Sequence, residues 1–191
     1  MPDDPYWNHN TRYHPWLLRQ VPSSARTALD IGCGDGLLAG KLARRGLTVT
    51  GIDTDAEILT QAQTAPGVSL EPADFRDYAG SFDVVTIVAT LHHVPLREGV
   101  TALRRVVAPG GVLAIVGLWN MTLRKDFPYL TLAPAIWVTD RMHRVDGPSV
   151  AMRDPADGYA EIRSATAELL PGSRMRRRLM WRYTLLWRKP V

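Results

Sequence analysis

From Thr27 onward, polar and apolar positions follow a repeating order: a short apolar run, an amphipathic stretch with helical spacing, then another apolar run. This order predicts a parallel sheet with helices on both faces. "TALDIG" and "TVTGID" read as the first two strands. Between them, "DGLLAGKLARRG" sets Leu38 and Leu42 four apart on one helical face, puts Arg44 and Arg45 in the last turn and stops at Gly46. Thr54 and Glu57 have the spacing of a capping box, so a second helix is expected there. "VSLEPAD" predicts a third strand, and the nearly unbroken β-branched run "FDVVTIVAT" a fourth, buried on both faces. Leu96, Val100, Leu103 and Val107 share helical spacing before the turn "PGG", and "GVLAIVGL" follows as the fifth strand. The rhythm breaks over residues 119–153, where Met121, Phe127, Tyr129, Trp137 and Met142 fall without a clean period, and this segment is expected to be an inserted substrate cover. Asp154 and Pro155 suit the cap and first position of a further helix, with Ile162, Thr166 and Leu169 on one face and "PG" at 171–172 as its stop. Over residues 173–190, "SRMRRRLMW" and "YTLLWRKP" have too short a link for a crossover and predict an antiparallel hairpin.

Length and composition agree with one soluble domain: 191 residues, 46% hydrophobic and 22% charged. Residues 1–26 form a cap segment before the first strand, and their acids and prolines do not suit an export signal. "VVTIVATL" and "GVLAIVGLW" are too short to span a bilayer, so a cytoplasmic protein without membrane partners is expected. The single cysteine, Cys33, excludes an internal disulfide and a cysteine-rich zinc site. The net charge of +4 is local: the segment from Arg174 to Lys189 holds seven basic residues and no acid, leaving 16 basic against 19 acidic elsewhere. That distribution argues against the broad basic groove of a nucleic-acid binder.

The first strand runs into "LDIGCGDG", with Gly32, Gly34 and Gly36 in a G-x-G-x-G order preceded by Asp30. A dinucleotide turn has the order G-x-G-x-x-G, and a carboxylate beside it would repel a pyrophosphate. The same carboxylate suits a cationic ligand, such as the amino group and sulfonium of S-adenosylmethionine.

Over residues 27–118 the chain resembles the class I, Rossmann-like S-adenosylmethionine-dependent methyltransferases, in particular their small-molecule branch. The resemblance implies a doubly wound, mostly parallel seven-stranded α/β sheet with helices on both faces and an antiparallel last strand, which the terminal hairpin fits. By the same resemblance, "LDIGCGDG" holds the methionine part of the methyl donor through Asp30, Gly32, the Cys33 backbone and Gly34. "GID" at 51–53 implies that Asp53 accepts from both ribose hydroxyls, with Thr54 alongside. "PADF" at 72–75 implies Asp74 at the adenine amine and Phe75 near the ring. "IVATLHHV" at 87–94, with Ala89, implies the stretch that lies under the donor.

Methyl transfer needs alignment above all, and a base only where the acceptor must lose a proton. His92 and His93 follow the fourth strand, where a base would reach an acceptor over the methyl group; side chains that merely line the pocket fit the same positions. The residues lack the acidic or asparagine, paired-proline and aromatic pattern of enzymes that methylate adenine or glutamine amines. They also lack a carboxylate cluster for a catechol-binding metal, so no metal is expected. The acceptor pocket is sought in "YWNHNTRYHPWLL" and the insertion, with Tyr13 and His14 closing over the donor's methionine end. The expected partner is a small, aromatic or apolar acceptor, and the expected state a monomer or homodimer. The C-terminal arginines leave three readings open: solvent-facing charges on an edge strand, an anionic acceptor, or RNA phosphate. The remaining alternatives are a protein methyltransferase, a noncatalytic donor-binding module and, least suited to the glycine spacing, a nicotinamide oxidoreductase.

Overall fold

The computed structural model describes residues 4–62, 65–122, 126–127, 129, 131–142 and 153–191. Seven strands form one sheet: β1 (Thr27–Ile31), β2 (Thr48–Asp53), β3 (Val68–Pro72), β4 (Phe82–Val88), β5 (Val107–Gly117), β6 (Arg174–Arg178) and β7 (Arg182–Arg188). Their spatial order is β3-β2-β1-β4-β5-β7-β6. The first five pair in parallel, while β7 runs antiparallel to both β5 and β6, so the expected antiparallel last strand is present. The order reverses between β1 and β4, which opens a crevice at the carboxyl ends of those strands.

Strand pleating sends successive side chains to opposite faces, and each face has its own core. Leu29, Val85, Ile87, Leu113 and Ile115 pack with Val100 and Leu103 of α4 (Leu96–Val106) and Ile162 of α6 (Tyr159–Leu169). On the other face Ala28, Val84, Ala114 and Val116 meet Leu17 of α1 (His14–Leu18) and Leu38 and Leu42 of α2 (Leu37–Ala43). Val84 and Val85 belong to different faces and both are buried, as the β-branched run of β4 requires. Each such large aliphatic side chain contributes about 1.5–3 kcal/mol by leaving water.

Three boundaries differ from expectation. The cap of α3 (Ala56–Thr60) is Asp55, not Thr54: the Asp55 carboxylate accepts from the Glu57 and Ile58 amides at 2.9 and 3.3 Å. Asp53 Oδ1 accepts the Asp55 amide at 3.0 Å across a bend at Thr54, which places Asp55 and not Thr54 at the helix start. The helix expected from Asp154 starts at Tyr159, with Gly158 as its cap and Glu161 Oε2 accepting the Gly158 amide at 2.7 Å. Residues 154–157 stay outside the helix, where the Asn120 amide donates to the Asp157 carbonyl and Asn120 bridges Gly158. Val107 does not end α4 but opens β5, pairing with Phe82, and "PGG" is absorbed where the register shifts before Val84–Val112.

Within the expected cover, α5 (Ala133–Met142) is formed. The Met142 side chain and residues 143–152, where that cover was expected to continue, lie outside the described residues. No helix among the described residues is long and apolar enough to cross a membrane.

Candidate functional site

A cavity of about 400 Å³ lies at the reversal point, floored by the ends of β1, β2 and β4 and covered by the N-terminal segment. Its floor begins at the glycine turn. The Gly32 and Cys33 amides both donate to the Ile52 carbonyl, at 2.8 and 3.1 Å, which ties the turn to β2. Gly32, with φ +65°, permits the close approach: a Cβ there would sit 2.0 Å from Thr90 Oγ1. The Gly34 amide donates to Asp53 Oδ2 at 3.0 Å, while Asp53 Oδ1 takes the Asp55 amide at 3.0 Å. Thr54 stands exposed at the cavity rim beside Asp53.

Asp30, the last but one residue of β1, lies directly opposite Thr86 of β4, and the pleat turns both toward the α2 face. Its carboxylate is 2% exposed and accepts from Thr86 Oγ1 at 2.7 Å. Burial pushes the Asp30 carboxyl up to about 7; the Thr86 hydrogen bond opposes that, and the charges of Asp53 and Asp35 add to it. Cys33 is buried against Gly51, where a Cβ would come 3.0 Å from its sulfur. Burial and the nearby Asp30 and Asp53 push its thiol up, so the side chain is a neutral, space-filling thiol.

Asp74 borders the cavity but grips Arg76: Nε lies 3.1 and 3.0 Å from its two oxygens and Nη2 2.6 Å from Oδ2. That hydrogen bonding holds the Asp74 carboxyl below the usual carboxylate range. Phe75 is buried beneath, part of the core under the cavity. Ala89 leaves β4 with φ +51°, a left-handed conformation that non-glycine residues adopt at a cost of about 1 kcal/mol or more. Its amide donates to the Val116 carbonyl at 2.8 Å, which fixes this bend and aims the following residues across the cavity.

The two histidines sit in the short turn Leu91–His93 with ring centroids 4.2 Å apart. His93 borders the cavity and His92 does not. The His92 Nδ1 atom is buried and unpartnered among the described residues. Burial and the neighbouring His93 pull His92 down to about 4. Burial and the charge of Arg153, which donates to the His93 carbonyl at 3.0 Å, lower His93 as well. Both rings are therefore neutral near pH 7, the state in which imidazole accepts a proton.

His14 also borders the cavity, but Tyr13 does not. Tyr13, expected to close over the same ligand, has its ring in the core, and its hydroxyl donates to the Leu179 carbonyl at 2.5 Å. Successive residues of a helical turn point about 100° apart, so the two side chains diverge. Sequence reasoning missed Tyr6, whose hydroxyl donates to Asp35 Oδ2 at 2.9 Å, and Lys41, discussed below. The aromatic-rich start and the acid between two glycines were visible; the contact between them spans 29 positions.

Three of the six C-terminal arginines are engaged within the molecule, and Arg174, Arg176 and Arg188 are exposed. Arg177 pairs with buried Asp126 at 2.9 Å and lies over the rings of Tyr159, Trp119 and Tyr129 at 4.4, 5.6 and 5.8 Å. Arg178 Nε donates to Thr184 at 2.9 Å, and Arg182, 9% exposed, donates to Asn10 and to the Met180 carbonyl. Arg174 and Arg176, on edge strand β6, face solvent. No group of three or more His, Cys, Asp or Glu side chains among the described residues could hold a metal ion.

The sequence pattern described as "Methyltransferase domain" matches residues 29–115. An uncharacterized methyltransferase of Mycobacterium tuberculosis (strain ATCC 25618 / H37Rv) is 37% identical, over 98% of this chain and 100% of that protein. The ubiquinone biosynthesis O-methyltransferase of Thiobacillus denitrificans (strain ATCC 25259 / T1) is 35% identical over 56% of this chain and 54% of its own length. Among solved structures, the magnesium protoporphyrin IX methyltransferase of Synechocystis PCC 6803 with bound S-adenosylhomocysteine superposes with a TM-score of 0.61 at 20% identity, covering 94% of this chain and 80% of that one. The phosphoethanolamine N-methyltransferase 2 of Haemonchus contortus gives 0.66 at 16% identity, over 94% of this chain and 53% of its own.

Proposed function

Because the chain belongs to the class I S-adenosylmethionine-dependent methyltransferases, we propose that its acceptor is a small, apolar or aromatic organic molecule rather than RNA or protein. The observation that carries this reading is the engagement of Arg177, Arg178 and Arg182 by partners inside the fold. A basic surface whose guanidinium groups already have partners offers little to a phosphate backbone. The cavity, bordered near His93 by Val88, Ala89 and Val94, suits a compact apolar acceptor.

The residues fit the methyl donor. The glycine turn lines the cavity with backbone, and the carboxylates of Asp30, Asp35 and Asp53 beside it favour a ligand with cationic groups. In this reading Asp30 faces the donor's amino group, and the backbone of Gly32, Cys33 and Gly34 supports its methionine chain. Asp53 accepts from the ribose hydroxyls with Thr54 at the rim, Asp74 accepts from the adenine amine, Phe75 and Ala89 form the floor, and His14 lies at the methionine end.

S-adenosylmethionine supplies a methyl group on a sulfonium centre, and S-adenosylhomocysteine leaves. An acceptor lone pair forms the new bond to carbon as the carbon–sulfur pair returns to sulfur. Where the acceptor is a hydroxyl, neutral His93 takes its proton, with His92 packed against it to hold the ring. The N-terminal segment over the cavity excludes water, so alignment supplies most of the rate. The reaction is assigned to the cytoplasm and to a monomer or homodimer.

The test is transfer of a labelled methyl group from S-adenosylmethionine to a panel of phenols, apolar carboxylic acids and hydroxylated aromatics, with bulk tRNA and protein in parallel. The expected result is label in one small-molecule class, with turnover that changes little between 50 and 200 mM salt. Label in RNA, with turnover falling steeply over that salt range, overturns the reading.

A further inference from the structure

Lys41 is a buried cation that the donor motifs do not account for. It sits on α2 three residues after Leu38 and beside Leu42, on the helix's inward side, with 6% of its surface exposed. An ammonium taken out of water must be compensated by close partners. Its partners are Asp4, at 2.7 Å, and His14 Nδ1, at 3.0 Å. Both come from the N-terminal segment that crosses the cavity, a segment also tied down where Tyr6 donates to Asp35.

The contact with Lys41 has a chemical consequence for His14. An ammonium only donates, so Nδ1 of His14 accepts, and the ring proton is placed on Nε2. Burial, with the Lys41 charge beside it, pulls His14 down to about 3, which keeps the ring neutral in that tautomer. Among the described residues no hydrogen bond engages Nε2, yet that atom is not among the buried polar atoms left without a partner. Nε2–H therefore keeps some exposure, in a ring that borders the cavity.

The rest of the cavity wall needs such a group. Asp30, Asp35, Asp53 and Asp55 all border it, and the guanidinium that joins them, Arg76, is held by Asp74 and Glu98. A zwitterionic amino-acid end brings an ammonium that these carboxylates attract and a carboxylate that they repel.

We propose that Lys41 is a positioning residue for the methyl donor: braced by Asp4, it holds His14 as the Nε2–H tautomer that donates to the donor's α-carboxylate, and so makes the enzyme read that carboxylate. The proposal rests on the reading that His14 lies at the methionine end.

The experiment compares binding of S-adenosylmethionine and decarboxylated S-adenosylmethionine by calorimetry in wild type, Lys41→Met, His14→Ala and His14→Gln, with ¹⁵N imidazole spectra of His14. The wild-type spectrum is expected to show the Nε2–H tautomer, and Lys41→Met a mixture. Lys41→Met and His14→Ala should each weaken S-adenosylmethionine about tenfold or more, the scale of one hydrogen bond to a charged group. Decarboxylated donor should bind within about twofold of wild type. His14→Gln, which keeps an N–H near the Nε2 position, should restore most of the loss. An Nδ1–H tautomer in the wild type overturns the proposal without any variant, so a Lys41→Met protein that fails to fold does not shield it. Equal weakening of both ligands by Lys41→Met overturns it too, since Lys41 would then hold only the segment. If His14→Ala changes neither ligand, the methionine-end reading itself fails; if His14→Ala discriminates between the ligands and Lys41→Met does not, only the role of Lys41 fails.

Discussion

A Cβ on Gly32 would meet Thr90 Oγ1 at 2.0 Å with φ at +65°, so Gly32→Ala faces both a clash and a backbone conformation that alanine resists. The left-handed backbone alone costs about 1–2 kcal/mol. Gly32→Ala is expected to lose that much stability or more in urea unfolding, and to bind S-adenosylhomocysteine at least tenfold more weakly in calorimetry. Asp30 differs in kind, because its consequence is electrostatic. Its carboxyl is raised to about 7 by burial, against Thr86 and with Asp53 and Asp35 nearby, while in the unfolded chain it titrates near 4. The folded state thus holds a proton that the unfolded state has lost between about pH 4 and 7, and linkage makes this residue's contribution to stability fall as pH rises through that window. In Asp30→Asn the contribution vanishes, so the change in Tm from pH 5 to pH 8 should be more favourable to the variant than to the wild type. A Tm difference between the two proteins that is the same at both pH values would contradict this account. These two residues were legible in the sequence because a glycine-rich turn after an apolar strand constrains what surrounds it. Asp74 was legible only as a position: that Arg76 grips its carboxylate depends on how the loop after β3 folds back.

At the scale of elements, the β6–β7 hairpin explains why its arginines are not a free basic strip. Met180 and Trp181 form its turn with φ +58° and +55°, strained for residues with side chains. Arg182 holds the turn by donating to the Met180 carbonyl at 3.1 Å, and joins it to the N-terminal segment through Asn10 at 2.9 and 3.1 Å. Arg182→Ala leaves these acceptors without their charged partner, and is expected to destabilise the fold by about 2–4 kcal/mol in denaturant titration. Arg176→Ala, on the solvent side of the edge strand, should change stability by less than about 0.5 kcal/mol. The alternating pattern "RMRRRLM" predicted the strand but not this division, because period-two spacing says which residues share a face and not what that face meets. The same limit moved the start of α6: Asp154 and Pro155 carry a valid local start signal, yet the helix begins only after the bridge from Asn120 to Gly158.

For the molecule as a whole, the cavity exists because the sheet order reverses between β1 and β4 and because a distant N-terminal segment covers the opening. That cover is held to the body by Tyr6 at Asp35 and by Asp4 at Lys41. Tyr6→Phe removes one tie without removing volume, and should speed S-adenosylhomocysteine release about tenfold or more in stopped-flow measurements, on the scale of one hydrogen bond to a charged carboxylate. An unchanged release rate would mean that the segment does not gate the cavity. The sequence by itself determined the doubly wound sheet, the glycine turn at the end of β1, the acids of β1 and β2 and the terminal hairpin. The sheet, the turn and the hairpin follow from short-range rules of apolar period, glycine freedom and link length, and the acid of β2 from the resemblance of its motif to the family's. Only the tertiary structure decided that Tyr13 turns into the core while His14 meets the cavity, that His93 rather than His92 borders it, and that Lys41 is buried between Asp4 and His14. Those outcomes join segments tens of residues apart, and a cation's partner is chosen by which chain segment packs over it, a fact that no local spacing encodes.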